Sequence, residues 1–413
     1  MERVVITGMG VVSPVGNDLD TFWNNLIAGK SGISEIDTMD TSKHKVKFGG
    51  VVRDFDSEAL LGRKAARRMD KFAQFALVAA QQAWDQSGLT SDNIDSARLG
   101  AYVGSGIGGF ETLFQNFLKL QEKGPRRVSP TLVPSMMANA ASAQITIRFG
   151  AMGPSMSPVS ACATGNHSIG EAFRLIRSGE ADAMFAGGTE STINDISLAS
   201  FGNARALSTR NDDPQGASRP FDVDRDGFVI AEGAGILILE SLSHAKARGA
   251  NILAEMVGYG ASSDAYHMVA THPEGEGAYL AMKAAFRSAN LDPSEVDVVN
   301  AHATSTPVGD VSETKALKQL LGDHAYNLPI TANKSMFGHM LGAAGGAEAI
   351  SLAMSIQNDI VPPTINLENQ DPECDLDYVA NEARELPLRV GISNSFGFGG
   401  HNAALIFKKY EDD

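Results

Sequence analysis

Cys162 is the first residue in the chain whose type and position suggest covalent chemistry. It follows a run of small residues at 155–161 and precedes a helical pattern in which Ile169, Phe173 and Ile176 share one face. A cysteine at such a strand-to-helix turn lies at the positive end of the helix dipole, which favours the thiolate and lowers the thiol pKa. Backbone N–H groups of the turn can also bind a carbonyl oxygen. The pattern predicts a nucleophile, with an inert buried thiol as the alternative.

Two histidines occupy similar junctions in the second half of the chain. His302 follows the apolar run 298–301 and precedes a hydroxyl-rich loop, after which a helix is expected to begin at Gly309. His339 lies between a predicted strand and the Gly/Ala-rich start of another helix. Strand ends are the usual location of catalytic residues in α/β proteins. We therefore predict that both histidines converge on Cys162.

Other uses of these residue types were weighed. As three zinc ligands, Cys162, His302 and His339 would be separated by 140 and 37 residues, which matches no compact zinc module, so no metal is expected. Either histidine taken singly could be a hydrogen-bonded core residue. The second cysteine, Cys374, lies in a polar loop and is predicted to be non-catalytic.

Two glycine-rich loops suggest different functions. Residues 104–109 match G-x-G-x-x-G after a predicted strand, which is typical of dinucleotide sites and makes an NAD(P)-dependent oxidoreductase a rival class. No second strand with a terminal acidic residue follows about 20 positions later, so this match is weak. Residues 397–400 fit a mobile loop, whose amides could complete an oxyanion hole and whose aromatic ring could gate a pocket.

The charge of the chain limits its partners. The sequence has 34 basic and 49 acidic residues, a net charge of −15, which disfavours nucleic acid. Local basic clusters nevertheless occur at 63–68 and 123–127. These clusters fit either a solvated helix face and loop or a docking patch for an acidic partner.

The sequence also predicts where the protein resides. No apolar stretch approaches the roughly 20 residues that a bilayer span needs, so no membrane association is expected. The N-terminal residues lead directly into an apolar run that is predicted to be a strand and not a signal peptide. The two cysteines, 212 positions apart, do not suggest a disulfide framework. We expect a cytoplasmic protein.

Short β-branched runs alternate with helical segments, which predicts an α/β fold in layers. Each half offers five strand candidates, at 3–7, 99–103, 155–159, 183–186 and 235–240, and at 253–261, 296–301, 330–332, 390–393 and 403–407. Helices are expected where apolar residues repeat at 169–176, 281–288 and 350–357. With no linker between them, two similar halves, 1–250 and 251–413, are predicted to pack together.

Four motifs, in order, resemble the β-ketoacyl-acyl-carrier-protein synthases, and most closely the type II elongating enzymes. They are Ser-Ala-Cys-Ala-Thr-Gly at 160–165, Asn-Ala-His-Ala-Thr-Ser-Thr at 300–306, Lys-Ser-Met-Phe-Gly-His at 334–339 and Asn-Ser-Phe-Gly-Phe-Gly-Gly at 394–400. The resemblance extends essentially end to end. It implies a thiolase-like fold with duplicated halves stacked as α-β-α-β-α, usually in a homodimer. It also implies elongation of fatty acids by decarboxylative Claisen condensation.

The resemblance assigns a role to each motif. Cys162 would take an acyl chain from acyl carrier protein as a thioester, and His302 and His339 would bind the malonyl thioester carbonyl while CO2 is lost. The backbone N–H groups of Cys162 and Phe398 would form the oxyanion hole. Lys334, paired with Glu348, would shape the field around the histidines. No cofactor is implied, since the substrates arrive on the phosphopantetheine arm of the carrier.

Further residues match family positions that bind substrate or carrier. Thr304 and Thr306 correspond to pantetheine contacts, Phe398 with the neighbouring Gly399 to the gate, and Ile107 and Phe201 to the acyl channel. The basic residues that correspond to the surface facing the acidic carrier protein are Lys64, Arg67, Arg68, Arg126, Arg127 and Arg205.

Three positions depart from the family pattern. Ala163 replaces Ser or Thr, Ala303 replaces Gly, and His401 replaces the usual Thr beside the gate. The nearest rival function is a condensing enzyme of a polyketide or specialised acyl pathway. A degradative thiolase normally needs a second catalytic cysteine, and type III synthases have Asn where His339 stands. An inactive chain-length subunit would lack Cys162.

Overall fold

The computed structural model describes residues 1–412, and ten of its strands form one continuous sheet. The strands of the first half are β1 (Val4–Val12), β2 (Ile33–Glu35), β3 (Phe48–Gly50), β4 (Leu99–Gly104), β5 (Ser155–Met156), β6 (Ala183–Glu190) and β7 (Gly233–Ser241). Those of the second half are β8 (Ala254–Ser263), β9 (Val298–Asn300), β10 (Ile330–Thr331), β11 (Ile360–Val361), β12 (Arg384–Glu385), β13 (Val390–Gly397) and β14 (His401–Lys408). Each of the ten strands predicted from the sequence overlaps one strand of this sheet.

The two halves repeat one strand order. The first is β1-β7-β6-β4-β5 and the second is β8-β14-β13-β9-β10. In each, two antiparallel pairings are followed by two parallel ones. β1 pairs with β8 at residues 4–6 and 254–256, which joins the halves at their central edges. This repetition supports the division near residue 250, which itself stays a prediction.

Helices cover both outer faces and fill the space between the halves. They are α1 (Leu19–Ile27), α2 (Ser57–Leu61), α3 (Arg63–Ala66), α4 (Lys71–Ser87), α5 (Phe110–Lys123), α6 (Leu132–Met136), α7 (Ala140–Phe149), α8 (Thr164–Arg177), α9 (Asp195–Asn203), α10 (Leu242–Ala247), α11 (Glu276–Ala289), α12 (Pro307–Leu321), α13 (Lys334–Phe337) and α14 (Ala344–Asn358). α4 and α7 pack outside the first half-sheet, α11 and α12 lie outside the second, and α8 and α14 pack between them. The predicted α-β-α-β-α layering is confirmed.

The central helices approach each other through glycine. A Cβ added to Gly165 in α8 would lie 2.8 Å from the backbone nitrogen of Gly346 in α14, so only glycine permits this contact. α14 is buried around nearly its whole circumference, because a sheet covers each side of it. The apolar pattern at 350–357 predicted a helix with only one buried face, so more of α14 is buried than the sequence indicated. This close approach brings the starts of the two helices to one place.

Several predicted boundaries differ from the observed ones, and proline accounts for two of the differences. β5 ends at Met156 and not at residue 159, since Pro158 has no N–H to extend the ladder. α12 begins at Pro307 and not at Gly309, because proline is favoured in the first turn of a helix. Within residues 1–412, no helix is long and apolar enough to cross a membrane.

Candidate active site

Cys162 lies in a short 3-10 turn, Ala161–Ala163, immediately before α8. Ala161 has a φ of +52°, in the left-handed region that residues other than glycine rarely adopt. Such strain persists where the surrounding structure enforces it, commonly at functional sites. The Cys162 side chain is only 7% exposed, yet it lines a cavity of about 510 Å³. The sulfur is therefore reached through this cavity.

The acidity expected for Cys162 from its position before a helix is wrong. Burial raises the pKa of the Cys162 thiol to about 12, although the Lys334 charge and the backbone N–H groups of Phe398 and Cys162 act in the opposite direction. Removal from water disfavours the thiolate more than these groups and the helix dipole favour it. The resting sulfur is thus a thiol, and its reaction requires a base.

His339 provides a base in direct contact with the sulfur. Its Nε2 lies 2.9 Å from Cys162 Sγ. Burial, with a further contribution from Lys334, holds the pKa of His339 well below 6.5, so the ring is neutral. When Nδ1 carries the ring proton, Nε2 accepts from the thiol. The geometry therefore permits proton transfer from Cys162 to His339.

His302 faces His339 across the site. Their ring centroids are 5.5 Å apart and the rings are nearly perpendicular. Burial, then Lys334 and His339, hold the pKa of His302 well below 6.5. Lys334 Nζ lies 3.4 Å from His302 Nδ1 and also forms an ion pair with the buried carboxylate of Glu348. Because an ammonium group can only donate, His302 Nδ1 accepts this hydrogen bond, and the ring proton of the neutral imidazole lies on Nε2.

A buried carboxylate that the sequence analysis did not identify fixes the His302 loop. Glu313 in α12 accepts the backbone N–H groups of His302 at 2.9 Å and Ala303 at 2.8 Å. Asn394 donates to the same carboxylate at 3.1 Å. An acidic residue nearly two turns into the helix that follows a catalytic strand end was the available signal. Glu313 holds the backbone from which His302 projects.

The end of β13 completes the surroundings of the sulfur. The backbone N–H groups of Phe398 and Cys162 are both directed at Cys162 Sγ. They can approach because Gly397 has no side chain: a Cβ there would lie 2.6 Å from Ser160 O and 3.1 Å from Cys162 N. Two N–H groups that point at one atom form the kind of site that stabilises a developing oxyanion.

The cavity contains most of the residues predicted to bind substrate. Ile107, Phe201, Thr304, Thr306 and Phe398 all line it, together with Cys162 and both histidines. The two threonine hydroxyls are 3.1 Å apart. Phe228 and Phe396, which the sequence analysis missed, pack edge-on against His339 and His302, respectively.

Gly399 does not line the cavity wall, and Lys334 and Glu348 lie behind the histidines. The N–H of Gly399 donates to Met268 O at 2.8 Å, which ties the turn after β13 to the loop after β8. The turn is left-handed at Gly399 and Gly400, with φ of +84° and +74°. The two glycines thus determine the path of the backbone in this turn. The residue of the turn that lines the cavity is the aromatic Phe398.

The backbone N–H groups of the glycine loop at 104–109 bind a carboxylate of the protein itself. Its Gly106 and Ile107 N–H groups donate to the buried carboxylate of Glu190, at 2.8 and 3.2 Å. These are the donors that a dinucleotide phosphate would require. The dinucleotide interpretation therefore does not fit this loop.

The predicted basic residues lie at the surface. Lys64, Arg67, Arg68, Arg126 and Arg127 are all exposed. Arg67 pairs with Glu58 at 3.2 Å, whereas the other four form no ion pair within residues 1–412. Arg205 is also exposed, and it lines the cavity itself.

The second cysteine is remote from this chemistry. Cys374 is fully buried in the apolar core of the second half. Burial raises its pKa to about 12. Among the described residues, no three His, Cys, Asp or Glu side chains are arranged to hold a metal ion.

Comparison with known proteins agrees with this architecture. Residues 1–245 match the family described as Beta-ketoacyl synthase, N-terminal domain, and residues 253–368 match Beta-ketoacyl synthase, C-terminal domain. The 3-oxoacyl-[acyl-carrier-protein] synthases 2 of Synechocystis sp. and Staphylococcus aureus are each 52% identical over 410 residues, which cover 99% of this chain and of the relative.

Two solved structures share the fold over nearly the whole chain. A ketosynthase in complex with its type II polyketide acyl-carrier protein, bound to a hexaketide, has a TM-score of 0.93 and 36% identity, covering 99% of this chain and 100% of that chain. A β-ketoacyl synthase from Burkholderia phymatum has a TM-score of 0.92 and 36% identity, with complete coverage of both chains.

Fold and site together define a thiolase-like condensing enzyme, an acyltransferase. The chain belongs to the β-ketoacyl synthase family. The resemblance drawn from the four motifs is confirmed.

Proposed function

We propose that this enzyme elongates fatty acyl chains by two carbons, condensing malonyl-acyl carrier protein with an acyl group held on Cys162. The observation that carries the proposal is the contact between Cys162 Sγ and His339 Nε2 at 2.9 Å, with His302 opposite, in one cavity. The 52% identity to 3-oxoacyl-[acyl-carrier-protein] synthases 2 supports this substrate class.

The first half-reaction is transfer of the acyl group to the enzyme. His339 takes the proton from Cys162, and the sulfur attacks the acyl thioester carbonyl. The N–H groups of Cys162 and Phe398 hold the negative oxygen of the tetrahedral intermediate. When the intermediate collapses, the carrier thiolate leaves and receives the proton from His339. Cys162 then carries the acyl chain as a thioester.

The second half-reaction forms the carbon–carbon bond. Once Cys162 is acylated and its proton has left with the carrier, no thiol remains to donate to His339, and the neutral ring changes to the tautomer with its proton on Nε2. The Nε2–H groups of His302 and His339 then donate to the malonyl thioester carbonyl, so that loss of CO2 leaves its electron pair in a stabilised enolate. The α-carbon attacks the acyl carbonyl on Cys162. Expulsion of the sulfur releases the 3-oxoacyl chain on its carrier and restores the nucleophile.

The cavity and its rim support a carrier-borne substrate. The hydroxyl groups of Thr304 and Thr306 provide polar contacts for the amides of a phosphopantetheine arm. The exposed Arg205 in the cavity lining, together with the exposed basic residues at 64–68 and 126–127, would attract an acidic carrier protein against the net charge of the enzyme. The enzyme then needs no cofactor of its own, because the carrier supplies the reactive thioester.

We also propose that the enzyme works as a homodimer in the cytoplasm. β5 is an edge strand of the sheet, and large apolar side chains nearby in the chain are exposed: Ile147 at 75%, Met152 at 77%, Met156 at 48% and Val159 at 56%. Exposed apolar surface of this kind beside an open strand edge marks an interface. Pairing of two β5 edges would cover both features.

Assays with defined acyl-carrier substrates test the function. Purified enzyme is expected to convert saturated and unsaturated long acyl chains and malonyl-carrier protein to 3-oxoacyl products with release of CO2. Failure with these chains, together with turnover of polyketide intermediates, would instead favour a condensing enzyme of a polyketide pathway. The likeness to the hexaketide-bound ketosynthase is the observation that favours this second candidate.

A further inference from the structure

Glu190 is a buried carboxylate that the proposed mechanism does not use. It is the last residue of β6, its side chain is fully buried, and it lines the same cavity as Cys162. No cation within residues 1–412 forms an ion pair with it. An unpaired carboxylate in an apolar acyl cavity is costly unless several donors compensate for the lost water.

Four donors surround this carboxylate. Oε1 accepts the Ser105 hydroxyl at 2.7 Å and the Ile107 N–H at 3.2 Å. Oε2 accepts the Gly106 N–H at 2.8 Å and the Gly342 N–H at 3.0 Å. The carboxylate thus joins the glycine loop of the first half to the turn before α14 in the second.

The junction has no spare room. A Cβ at Gly342 would lie 2.6 Å from the Gly106 nitrogen and 2.8 Å from Glu190 Oε2. A Cβ at Gly106 would also lie 2.8 Å from Oε2. Both segments therefore meet at the carboxylate only because each presents bare backbone there.

The residues that the carboxylate positions form walls of the acyl cavity. Ile107 is bonded directly through its N–H, and Leu341 immediately precedes the bonded Gly342. Both side chains line the cavity and pack in one apolar cluster with Cys162. Leu341 has a φ of +45°, a strained conformation that needs external support.

We propose that Glu190 is a specificity-determining positioning residue, which sets the acyl-chain preference of the enzyme by holding Ile107 and Leu341 in place. This inference rests on the proposed condensing activity. Without the carboxylate, the Ile107 and Leu341 segments become more mobile. The cavity then accepts acyl chains of lengths that the wild-type enzyme disfavours. Because Glu190 acts through these two residues, its effect differs among substrates.

Substitution of Glu190 with glutamine tests the proposal. The glutamine NH2 would face either the Ile107 N–H or the N–H groups of Gly106 and Gly342, which can only donate, so at least one of the four hydrogen bonds is lost. We expect the ratio of kcat/KM between the preferred and the poorest acyl chain to fall by about tenfold, as loss of a charge-assisted hydrogen bond implies. The milder Ser105→Ala, which removes one donor and retains the carboxylate, should shift the ratio in the same direction and guards against misfolding of Glu190→Gln.

The matched control is Glu232→Gln. Glu232 is also fully buried, but it contacts Lys71, Val52 and Ser191 and does not line the cavity. It should change stability without changing the ratio. The proposal would be overturned if folded Glu190→Gln kept the wild-type ratio of kcat/KM between acyl chains. An equal loss of kcat/KM for every acyl chain would also overturn it. A wild-type enzyme that acylates with no chain would instead refute the condensing function.

Discussion

At the scale of single residues, the site depends on buried groups whose charge is controlled by removal from water. Burial keeps the Cys162 thiol protonated and His302 and His339 neutral. Lys334 reinforces neutrality of the histidines and is itself compensated by Glu348. The site thus holds the sulfur as a thiol beside a neutral base, which must take the thiol proton to generate the nucleophile.

The neutral histidines predict a dependence of stability on pH. Their pKa values are lowered by folding, so below about pH 6.5 the unfolded chain binds protons that the folded chain does not. Their stabilising contribution is complete above that pH and is lost as the pH falls. For two such groups the loss approaches about 2–3 kcal/mol one pH unit lower.

The double variant His302→Asn with His339→Asn isolates this effect in thermal unfolding. The melting temperature of the wild type should fall more steeply than that of the variant between about pH 7.5 and 5.5. The carboxylates are common to both proteins, so they cancel in the comparison. Parallel pH profiles would show that the histidines are not held neutral by the fold.

At the scale of elements, one strand of each half ends against a turn that belongs to the other half. β13 of the second half ends against the Cys162 turn, where Gly397 packs on the backbone. β6 of the first half ends with Glu190 against the corresponding turn at Gly342. These turns also share a left-handed residue, Ala161 in one and Leu341 in the other. The duplication therefore builds one site from both halves.

Gly397→Ala tests the first of these contacts. Its added methyl group would overlap Ser160 O and force β13 away from the nucleophile turn. A shift of about 1 Å at reacting groups lowers rates by about 10²-fold, so acylation of Cys162 should slow by that factor. The measurement is a single-turnover acylation rate.

Gly202→Ala is the matched control, because a Cβ at this position in α9 meets nothing within 4 Å. It should acylate at the wild-type rate and be slightly more stable, since alanine favours helix. Equal rates in both glycine variants would contradict the role given to the end of β13.

The sequence predicted the elements better than their contacts. Short β-branched runs located all ten central strands, and positions at strand ends, together with motif resemblance, located Cys162, His302 and His339. It did not reveal Glu190 or Glu313, because their importance lies in hydrogen bonds to backbone that is distant in sequence. The acidity expected for Cys162 was wrong for a related reason: a helix start is visible in a sequence, whereas the burial that outweighs it is not.

At the scale of the whole molecule, charge is unevenly distributed. The chain is acidic overall, yet it carries exposed basic residues, one of which, Arg205, lines the cavity. Such a field selects an acidic partner mainly by accelerating its association. Net repulsion elsewhere on the surface would restrict that partner to the basic region.

Arg126→Glu with Arg127→Glu tests carrier docking. We expect kcat/KM for acyl-carrier protein to fall by about tenfold or more at low salt, and its dependence on salt to weaken, because fewer attractive charges remain to be screened. Lys283→Glu with Arg287→Glu, at two exposed positions of α11, makes the same change in net charge and serves as the control. An equal fall in that variant would refute a specific patch.

The proposed dimer is tested by sedimentation. Met152→Lys with Met156→Lys places charge beside the β5 edge and should convert a particle of two chains into one of a single chain. Val223→Lys, at a residue 48% exposed elsewhere, should leave association unchanged. A wild-type monomer, or a charged variant that still dimerises, would refute pairing at this edge.

The proposed mechanism requires covalent attachment of the acyl chain to Cys162, which intact-mass spectrometry measures directly. After incubation with acyl-carrier protein, the wild type should gain the mass of one acyl group, whereas Cys162→Ala should gain none and Cys374→Ala should behave as the wild type. An unmodified wild-type chain, or an acyl adduct on Cys162→Ala, would contradict the mechanism.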